Sequence, residues 1–269
     1  MIPVLLFPGF DPVLIQFGPI AIRWYALAYI GSLLLGWRIM RRLTQLSPPV
    51  ATPVQTDDFL TCAVLGVIIG GRLGYVLFYQ PGQYLQNPLG ALAVWQGGMS
   101  FHGGALGVIV AVIWYCRRNA IPMVGFADRL VVVVPIGLLF GRIANFINGE
   151  LWGRVAPETL PWAMVFPVAG PEPRHPSQLY QAGLEGLALL VILSLLCARP
   201  AVRARFGVLS GVFLVGYGVA RSVGELFRQP DPFLGFLFAG ATMGQLLSVP
   251  MILAGAYLIV RARLAVAHA

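Results

Sequence analysis

Long apolar segments alternate with short polar stretches along almost the whole chain. A helix needs about 20 apolar residues to cross the roughly 30 Å of hydrocarbon in a membrane. Segments of about that length fall at 19–39, 58–79, 101–116, 129–147, 178–198, 206–227 and 242–260. The pattern predicts an all-α membrane protein, in which residues 1–269 form a single integral membrane domain built as a bundle of seven transmembrane helices.

The second and third segments carry further signals. Gly66, Gly70 and Gly74 recur every four residues in the second segment, a spacing typical of membrane helices that pack closely. The third segment is short. The stretch QYLQNPLGALAVW before it is therefore predicted to lie along the membrane interface or to re-enter the membrane.

Composition supports burial in lipid. The chain is 58% hydrophobic and 10% charged, with a mean hydropathy of +0.80, whereas soluble domains are about 45–50% apolar and about 25% charged. Eighteen basic residues against ten acidic ones give a formal net charge of +8, and every basic residue is arginine. These arginines occur beside apolar segments and not in long runs, so they indicate membrane topology and not a nucleic-acid site.

The positions of the arginines predict the orientation of the chain, because cytoplasmic loops carry an excess of basic residues. Most arginines lie in alternate loops and at the C-terminal end: Arg38, Arg41, Arg42, Arg117, Arg118, Arg129, Arg199, Arg203, Arg205, Arg261 and Arg263. We therefore expect the C-terminus inside, and the N-terminal arm (1–17) and a long loop (148–177) outside. The first residues lack the basic start of a signal peptide, so no cleavage is predicted.

The three cysteines predict neither a disulfide nor a metal site. Cys62, Cys116 and Cys197 lie in apolar segments and show no CxxC or Cys/His spacing. Free cysteine behaves as a small hydrophobic side chain, so all three are expected to be buried.

Ionisable groups inside apolar segments are costly and are therefore candidates for function. They are Arg23, Arg72, Arg142, Arg221 and Glu225, with His102 at the start of the third segment. A helix rises about 1.5 Å per residue, and with the predicted orientation this rise brings the polar groups to one depth. We expect a polar layer in the outer half of the membrane.

Two helices are predicted to align polar groups on one face. The first stripe contains Arg142, Asn145 and Gly149, with Asn148 and Glu150 at the end of the same helix. The second stripe contains Tyr217, Arg221, Glu225 and Arg228. One interpretation is a structural network of ion pairs, Glu225 with Arg221 or Arg228 and Glu150 with Arg154. The other is an anion site, because basic groups outnumber acids in this layer and guanidinium groups bind phosphate in a bidentate manner.

His102 lies among glycines in GGMSFHGGALG (97–107). Glycines allow close approach of a ligand, and the dipole at a helix N-terminus favours a neutral imidazole, which can act as a base. The alternative is an interfacial histidine that hydrogen-bonds a carbonyl group. In RHPSQLYQ (174–181), Ser177 is predicted either to cap the fifth helix or to lie near the site.

Six motifs follow one another along the chain. They are IRWYALAYI (22–30), GGRLGYVLFY (70–79), GGMSFHGGALG (97–107), GRIANFINGELWGR (141–154), RHPSQLYQ (174–181) and YGVARSVGELFRQPD (217–231). Together they resemble the bacterial prolipoprotein diacylglyceryl transferases, in order and over nearly the whole chain. In the last motif, Ser222 and Gly224 are smaller than the residues expected for the family, a difference that is expected to alter the packing of lipid tails and to leave the charged stripe intact.

The resemblance implies a transferase of the bacterial inner membrane with a periplasmic head. It implies transfer of the diacylglyceryl group of phosphatidylglycerol to the thiol of the lipobox cysteine in a prolipoprotein signal peptide, which forms a thioether and releases glycerol phosphate. This chemistry requires no metal and no organic cofactor, and no nucleic acid takes part. Seven spans and active chemistry at the outer leaflet agree with the topology predicted above.

The resemblance also implies roles for individual residues. His102 is the candidate base, and Arg142 and Arg221 are the candidates that neutralise the leaving phosphate. Glu150 and Glu225 are expected to orient arginines, and Arg23 is expected to reach the interface. The candidates for substrate binding are Tyr25, Arg72, Gly103, Gly104, Asn145, Asn148, Gly149, Glu150, Gly153, Arg154, Tyr217, Glu225 and Arg228.

Two other classes of protein remain as alternatives from the residues alone. A transporter or flippase for an anionic lipid would also need arginines in a cavity. The absence of an internal repeat and the confinement of polar groups to one side argue against it. A non-catalytic membrane scaffold would leave the intramembrane arginines and His102 without a purpose.

Overall fold

The computed structural model describes residues 5–18, 20–157, 159–230 and 235–267, and most of them are helical. Four predicted features therefore lie partly outside the described residues. These are residues 1–4 of the N-terminal arm, Pro19 at the start of the segment 19–39, Glu158 of the 148–177 loop and Asp231 at the end of the last motif.

Ten α-helices occur in the described part of the chain. They are α1 (Trp24–Leu43), α2 (Pro53–Phe78), α3 (Pro81–Gln86), α4 (Phe101–Arg118), α5 (Met123–Ile147), α6 (Ser177–Gln181), α7 (Leu189–Ala198), α8 (Pro200–Arg203), α9 (Val208–Phe227) and α10 (Met243–Ala267). A π-helical segment, Ala182–Ala188, joins α6 and α7 into one continuous helix. Each of the seven apolar segments predicted from sequence thus contains a long helix.

Among the described residues, four helical stretches are long and apolar enough to cross a membrane: Pro53–Phe78, Met123–Ile147, Ser177–Ala198 and Met243–Leu264. The chain is therefore a multi-pass membrane protein. The finer count of seven spans stays a prediction, since α1, α4 and α9 are helical but fall outside these four.

The start of the first segment differs from the prediction of helix over 19–39. Ile20–Arg23 forms a strand that pairs antiparallel with Val13–Phe17, and α1 begins only at Trp24. The IAIR sequence alternates large and small or polar side chains, as strands do, and Gly18 supplies the positive φ of +56° in the intervening turn. Arg23 consequently lies at a strand end, where it is exposed.

A second small sheet joins the N-terminal arm to the 148–177 loop. Leu5–Leu6 pairs in parallel with Met164–Val165, which pairs antiparallel with Pro173–Arg174. Phe7 follows the first of these strands, and its ring stacks on Phe166 with centroids 5.3 Å apart. The loop is therefore held by backbone pairing and aromatic contacts.

Contacts divide the chain into two compact units. One contains Met1–Ile39 and Asp128–Ala269, and the other contains Met40–Ala127. In the second unit α2 packs against α4 through glycines, and a Cβ added to Gly70 would lie 2.9 Å from the Cα of Gly107. The close packing predicted for Gly66, Gly70 and Gly74 is confirmed.

The segment before α4 forms short helices in place of a membrane span. Besides α3, it contains 3-10 turns at Pro88–Leu92 and Val94–Gln96. Its large apolar side chains are exposed, with Leu85 81% and Trp95 80% accessible. Whether the segment lies along the interface or re-enters the membrane stays a prediction.

In the first unit, a buried carboxylate caps the start of α9. Asp128 is fully buried and accepts hydrogen bonds from the backbone N–H of Gly207 at 2.8 Å and from the N–H and hydroxyl of Ser210 at 2.8 and 2.6 Å. An anion stabilises the positive end of a helix dipole. Asp128 therefore fixes the helix that carries Tyr217, Arg221 and Glu225.

The glycine contact between α2 and α4 generates a first prediction. We expect Gly107→Ala to lower the free energy of unfolding by about 1–3 kcal/mol, the usual cost of overpacking, because the new Cβ would lie 2.8 Å from the backbone carbon of Gly66. Thermal unfolding in detergent measures the effect. Gly82→Ala in α3 is the control, since its Cβ would meet open space. Equal melting temperatures for the two variants would contradict the prediction.

Candidate functional site

One buried carboxylate joins two of the predicted site arginines. Glu185 is fully buried, and Arg142 donates to its Oε2 from Nε at 3.2 Å and from Nη2 at 3.0 Å. Arg221 approaches the other oxygen, with Nη1 3.5 Å from Oε1. The structure thus brings Arg142 and Arg221, which lie far apart in sequence, to the two sides of a single side chain.

Sequence analysis missed Glu185, although a signal was present. It is the only acidic residue in the predicted segment 178–198, and a lone acid in an apolar span is a candidate for function. Glu185 lies in the π-helical segment, a feature frequent at functional sites. Its neighbour Gly186 packs against α5, where an added Cβ would lie 2.7 Å from the Cα of Leu139. This close approach places Glu185 within reach of α5.

A second carboxylate extends the network along α9. Glu225 is 3% exposed, and its Oε1 lies 2.7 Å from Nη2 of Arg221 and 3.6 Å from Nη1 of Arg228. The predicted pairing of Glu225 with these arginines is confirmed. Positive and negative groups therefore alternate in the order Arg142, Glu185, Arg221, Glu225, Arg228, which we call the charge chain.

The charge chain leaves hydrogen-bond donors open. Nη1 of Arg221 is buried, and although it lies 3.5 Å from Oε1 of Glu185, it has no contact with hydrogen-bond geometry to any described residue. Arg142 uses Nε and Nη2 for Glu185, which leaves Nη1 available within the described part of the chain. Hydrogen bonds from guanidinium to an oxyanion are short and strong. These two groups can therefore bind an anionic oxygen while Glu185 keeps them in place.

The backbone reverses direction just after the end of α5. Gly149 has a φ of +65°, a conformation that favours glycine. The Oε1 of Glu150 accepts hydrogen bonds from the side-chain amides of Asn145 at 2.8 Å and Asn148 at 3.3 Å. The predicted pairing of Glu150 with Arg154 is wrong, because the reversal at Gly149 directs Glu150 toward these amides.

Arg154 binds the C-terminal end of α9. Its Nη2 donates to the carbonyl of Glu225 at 2.9 Å, and its Nε donates to the carbonyl of Arg228 at 3.0 Å. Helix ends leave carbonyl groups that need such partners. Gly153 lies at the same junction, where an added Cβ would be 2.7 Å from the carbonyl oxygen of Phe227. Both residues therefore hold the helix end that carries part of the charge chain.

Arg72 has a comparable role in the other unit. It is 4% exposed and donates to the carbonyls of Gly90 at 2.7 Å, Ala91 at 2.8 Å and Gly98 at 3.2 Å, and also to that of Gly97. These bonds occupy Nε and both terminal nitrogens. Arg72, expected to bind substrate, thus holds the backbone that leads into α4.

His102 lies in the first turn of α4, where its side chain is exposed. Ser100 caps this helix by accepting a hydrogen bond from the N–H of Gly103 at 3.2 Å. Gly103 also packs on α2, where an added Cβ would lie 2.9 Å from the Cα of Gly74, and Gly104 is buried. These glycines therefore serve helix packing, while His102 itself remains accessible.

The two candidate tyrosines have different surroundings. Tyr25 lies in the first turn of α1 and is 47% exposed. Tyr217 lies on α9, one turn before Arg221, and its ring stacks on that of Phe213 with centroids 5.9 Å apart. Tyr217 therefore shares the charge chain's helix.

The motif that opens the fifth helix forms a separate polar cluster. Nδ1 of His175 lies 3.2 Å from the hydroxyl of Tyr180, which accepts a hydrogen bond from Trp162 at 2.7 Å. Burial lowers the pKa of His175, which favours a neutral ring that accepts from Tyr180. The hydroxyl of Ser177 donates to the carbonyl of Leu151 at 3.0 Å, so the predicted capping role of Ser177 is wrong.

Fold and site together define a helical, multi-pass membrane protein in which buried carboxylates hold two arginines from separate helices. No cluster of three or more His, Cys, Asp or Glu side chains suited to a metal ion occurs among the described residues. A family model described as prolipoprotein diacylglyceryl transferase matches residues 12–261. The chain belongs to the prolipoprotein diacylglyceryl transferase family, and thus to a family of transferases.

Individual relatives are similar over nearly their whole length. A protein of Gluconacetobacter diazotrophicus is 63% identical over 262 residues, which cover 97% of this chain and 94% of the relative. Relatives in Gluconobacter oxydans and Acidiphilium cryptum are 59% and 57% identical, covering 96% and 97% of this chain and 94% and 95% of their own lengths. All three are named phosphatidylglycerol–prolipoprotein diacylglyceryl transferase.

The shared carboxylate generates a second prediction. We expect Glu185→Gln to lower the free energy of unfolding by on the order of 3 kcal/mol, because it leaves the largely buried Arg142 without a charged partner and removes one of the two partners of Arg221. Thermal unfolding of the purified protein in detergent measures the loss. The matched control is Glu172→Gln, whose side chain is 60% exposed and lies 3.7 Å from Arg174. An exposed pair contributes about 0–1 kcal/mol, so a similar loss in both variants would contradict the assignment.

Proposed function

We propose that this protein transfers the diacylglyceryl group of phosphatidylglycerol to the thiol of the lipobox cysteine in a prolipoprotein, forming a thioether and releasing glycerol phosphate. The observation that carries the proposal is the pair Arg142 and Arg221, held on Glu185 with donors left open. Family membership and the names of the relatives agree with it. A carrier for anionic lipids would have no reason to belong to a family of transferases.

The reaction sets two demands on the protein. The cysteine sulfur forms a bond to a glyceryl carbon while the bond from that carbon to the phosphate oxygen breaks. The electron pair stays on that oxygen, so the phosphate gains negative charge as glycerol phosphate leaves. The thiol proton must also be removed, because the thiolate is the nucleophile and free cysteine has a pKa of about 8.5.

Arg142 and Arg221 meet the first demand in this proposal. Donors already fixed in place stabilise charge that develops in the transition state without reorganisation. Glu185 fixes both guanidinium groups, and Glu225 fixes Arg221 from a second side. Asn145 is held one turn after Arg142 and is proposed to bind the head group.

His102 is proposed as the group that takes the thiol proton, on the strength of the family resemblance. Its exposed position in the first turn of α4 supports access by a thiol. Tyr25 and Tyr217 are proposed to contact the lipid, since both are aromatic side chains with a polar hydroxyl and Tyr217 precedes Arg221 on α9. No metal or organic cofactor is needed for this chemistry.

The remaining candidates are proposed to support substrate binding indirectly, by holding the backbone around the site in position. Arg72 binds four carbonyl groups before α4, and Arg154 binds two at the end of α9. The same role is proposed for the glycines at close contacts and turns, Gly103, Gly104, Gly149 and Gly153. Asn148, Glu150 and Arg228 complete the binding set.

The arrangement in the membrane is part of the proposal. A single domain of seven spans in the bacterial inner membrane would place the N-terminal arm (1–17) and the loop 148–177 in the periplasm and the C-terminus in the cytoplasm. The distribution of arginines supports this orientation, and the pairing of Leu5–Leu6 with Met164–Val165 joins arm and loop. The thiol of a secreted prolipoprotein would then meet the lipid at the outer leaflet.

Transfer to a peptide tests the proposed activity. We expect purified protein to attach diacylglyceryl from labelled phosphatidylglycerol to a lipobox peptide, detected by mass spectrometry. Arg142→Ala and Arg221→Ala should lower kcat by on the order of 100- to 1000-fold, the usual cost of losing one transition-state donor. His102→Gln should bind lipid but transfer little. Arg42→Ala, an exposed arginine at the end of α1, is the control.

The outcomes separate an enzyme from a carrier. Lipid binding without modification of the thiol in the wild-type protein would overturn the transferase proposal. If both arginine variants transferred lipid at the wild-type rate, the transferase proposal would stand, but the proposed role of Arg142 and Arg221 would be wrong.

Accessibility of single cysteines tests the orientation. In a variant without Cys62, Cys116 and Cys197, we expect a membrane-impermeant maleimide added to intact spheroplasts to label Val168→Cys. Val168 is 80% exposed in the 148–177 loop. Ala204→Cys, in the arginine-rich loop before α9, should be labelled only after permeabilisation. The reverse labelling pattern would contradict the proposed topology.

A further inference from the structure

The start of α10 lies against the charge chain. Thr242 and Gln245 form reciprocal bonds at this helix end, with the Thr242 N–H donating to Oε1 of Gln245 at 3.0 Å and the Gln245 N–H donating to Oγ1 of Thr242 at 3.3 Å. Nε2 of Gln245 also donates to the carbonyl of Ser222 on α9 at 3.4 Å. The first turn of α10 is therefore fixed in position beside α9.

Gly244 lies in this turn and faces two charged side chains. A Cβ added to Gly244 would lie 2.9 Å from Cδ and 3.0 Å from Oε1 of Glu225, and 3.1 Å from Nε of Arg221. Contacts this short force a neighbouring atom to move. The absence of a side chain at Gly244 therefore allows the carboxylate and the guanidinium group to occupy their present positions.

Neither neighbour can move without a change in the charge chain. Oε1 of Glu225 lies 2.7 Å from Nη2 of Arg221, and Nη1 of Arg221 in turn lies 3.5 Å from Glu185. Glu225 is 3% exposed, so its carboxylate depends on protein groups and not on solvent for its partners. A displaced Glu225 carboxylate would alter the position of Arg221.

Other glycines between α9 and α10 have different neighbours. A Cβ on Gly255 would lie 2.6 Å from the backbone oxygen of Gly211, and one on Gly218 would lie 2.6 Å from Cγ1 of Ile252. Those glycines allow the helices to pack. At Gly244 the three nearest atoms all belong to charged side chains of the site.

Gly244 also lines a small cavity with Arg221, Glu225 and Thr242, of about 30 Å³. A space of this size holds a water molecule or a single ligand oxygen. The negative carboxylate of Glu225 lies at the N-terminal end of α10, where a helix dipole stabilises negative charge. Both features depend on close approach of α10 to the charge chain.

We propose that Gly244 is a positioning residue, which holds Arg221 in its working geometry by admitting the Glu225 carboxylate between Arg221 and the start of α10. This inference rests on the proposed function, in which Arg221 stabilises the leaving phosphate. It adds the first turn of α10 to the elements that determine the rate.

The test combines one substitution with a compensating one. Gly244→Ala should lower kcat for peptide lipidation by on the order of ten- to a hundredfold, since small displacements of a catalytic group have effects of this size. Its melting temperature should stay close to that of the wild type, because only side-chain ends are displaced. The double variant Gly244→Ala/Glu225→Asp should recover at least threefold over Gly244→Ala, since the shorter acid withdraws its carboxylate from the new methyl group.

Two control variants separate positioning from packing. Gly183→Ala, whose Cβ meets open space, should keep wild-type activity and stability. Gly255→Ala should lower the melting temperature through its backbone clash. Loss of stability in Gly244→Ala as large as in Gly255→Ala, with no rescue by Glu225→Asp, would overturn the proposal, and so would activity of Gly244→Ala within twofold of the wild type.

Binding of phosphatidylglycerol, measured as its stabilising effect on thermal unfolding relative to phosphatidylcholine, provides a readout that does not need turnover. If the wild-type protein binds this lipid but does not transfer it, the proposed function fails. The positioning role then still predicts weaker binding in Gly244→Ala and recovery in the double variant. Unchanged binding in Gly244→Ala under those conditions would overturn the positioning role.

Discussion

The carboxylate of Glu185 is shared between Arg142 and Arg221 in a part of the protein from which it has no access to solvent. A buried charge without a partner is costly, and the side chains of Arg142 and Arg221 are themselves largely buried. Each of the three groups therefore stabilises the others only while the helices that carry them stay in register. Close packing of Gly186 on α5, the π-helical segment and the capped start of α9 all serve this one arrangement.

Arginine has two separate uses in this protein. Arg72 and Arg154 donate hydrogen bonds to backbone carbonyls at irregular segments and helix ends. An unbonded carbonyl would be costly there in an apolar environment. Arg142 and Arg221 instead bind carboxylates that leave donors open. The difference follows from what surrounds each side chain, since all four residues have the same chemistry. The proposed contact with the leaving phosphate therefore uses the second group.

Glycine contributes in a similar way. At Gly107 and Gly255 it brings backbones together, whereas at Gly244 it admits charged side chains. Substitution at the first kind of position should affect stability, and substitution at the second kind should affect the geometry of the charge chain. Stability and rate can therefore be separated experimentally within one helix pair.

Much of the architecture follows from the sequence because lipid imposes a simple rule: a spanning segment must be long, apolar and helical. This rule located the helices, and the spacing of Gly66, Gly70 and Gly74 predicted the close packing of α2. The six motifs identified the family and pointed to Arg142 and Arg221. The strand at Ile20–Arg23 was missed because its apolar residues run directly into those of α1, although its partner Val13–Phe17 lies just before it in the chain. Roles within the site were also beyond the sequence, since helix periodicity relates residues on one helix only.

Which acid serves which arginine was decided by the tertiary structure. The pairing of Glu225 with Arg221 and Arg228 is local to α9, so spacing along the helix predicted it. Glu185 reaches Arg142 and Arg221 from a third helix, and Glu150 turns away from Arg154 at a left-handed glycine. The sequence by itself determined the helices, the family and most of the polar groups, with Glu185 as the main omission. Their partners depended on how separate helices pack, because a charge in an apolar environment pairs with its nearest opposite in space.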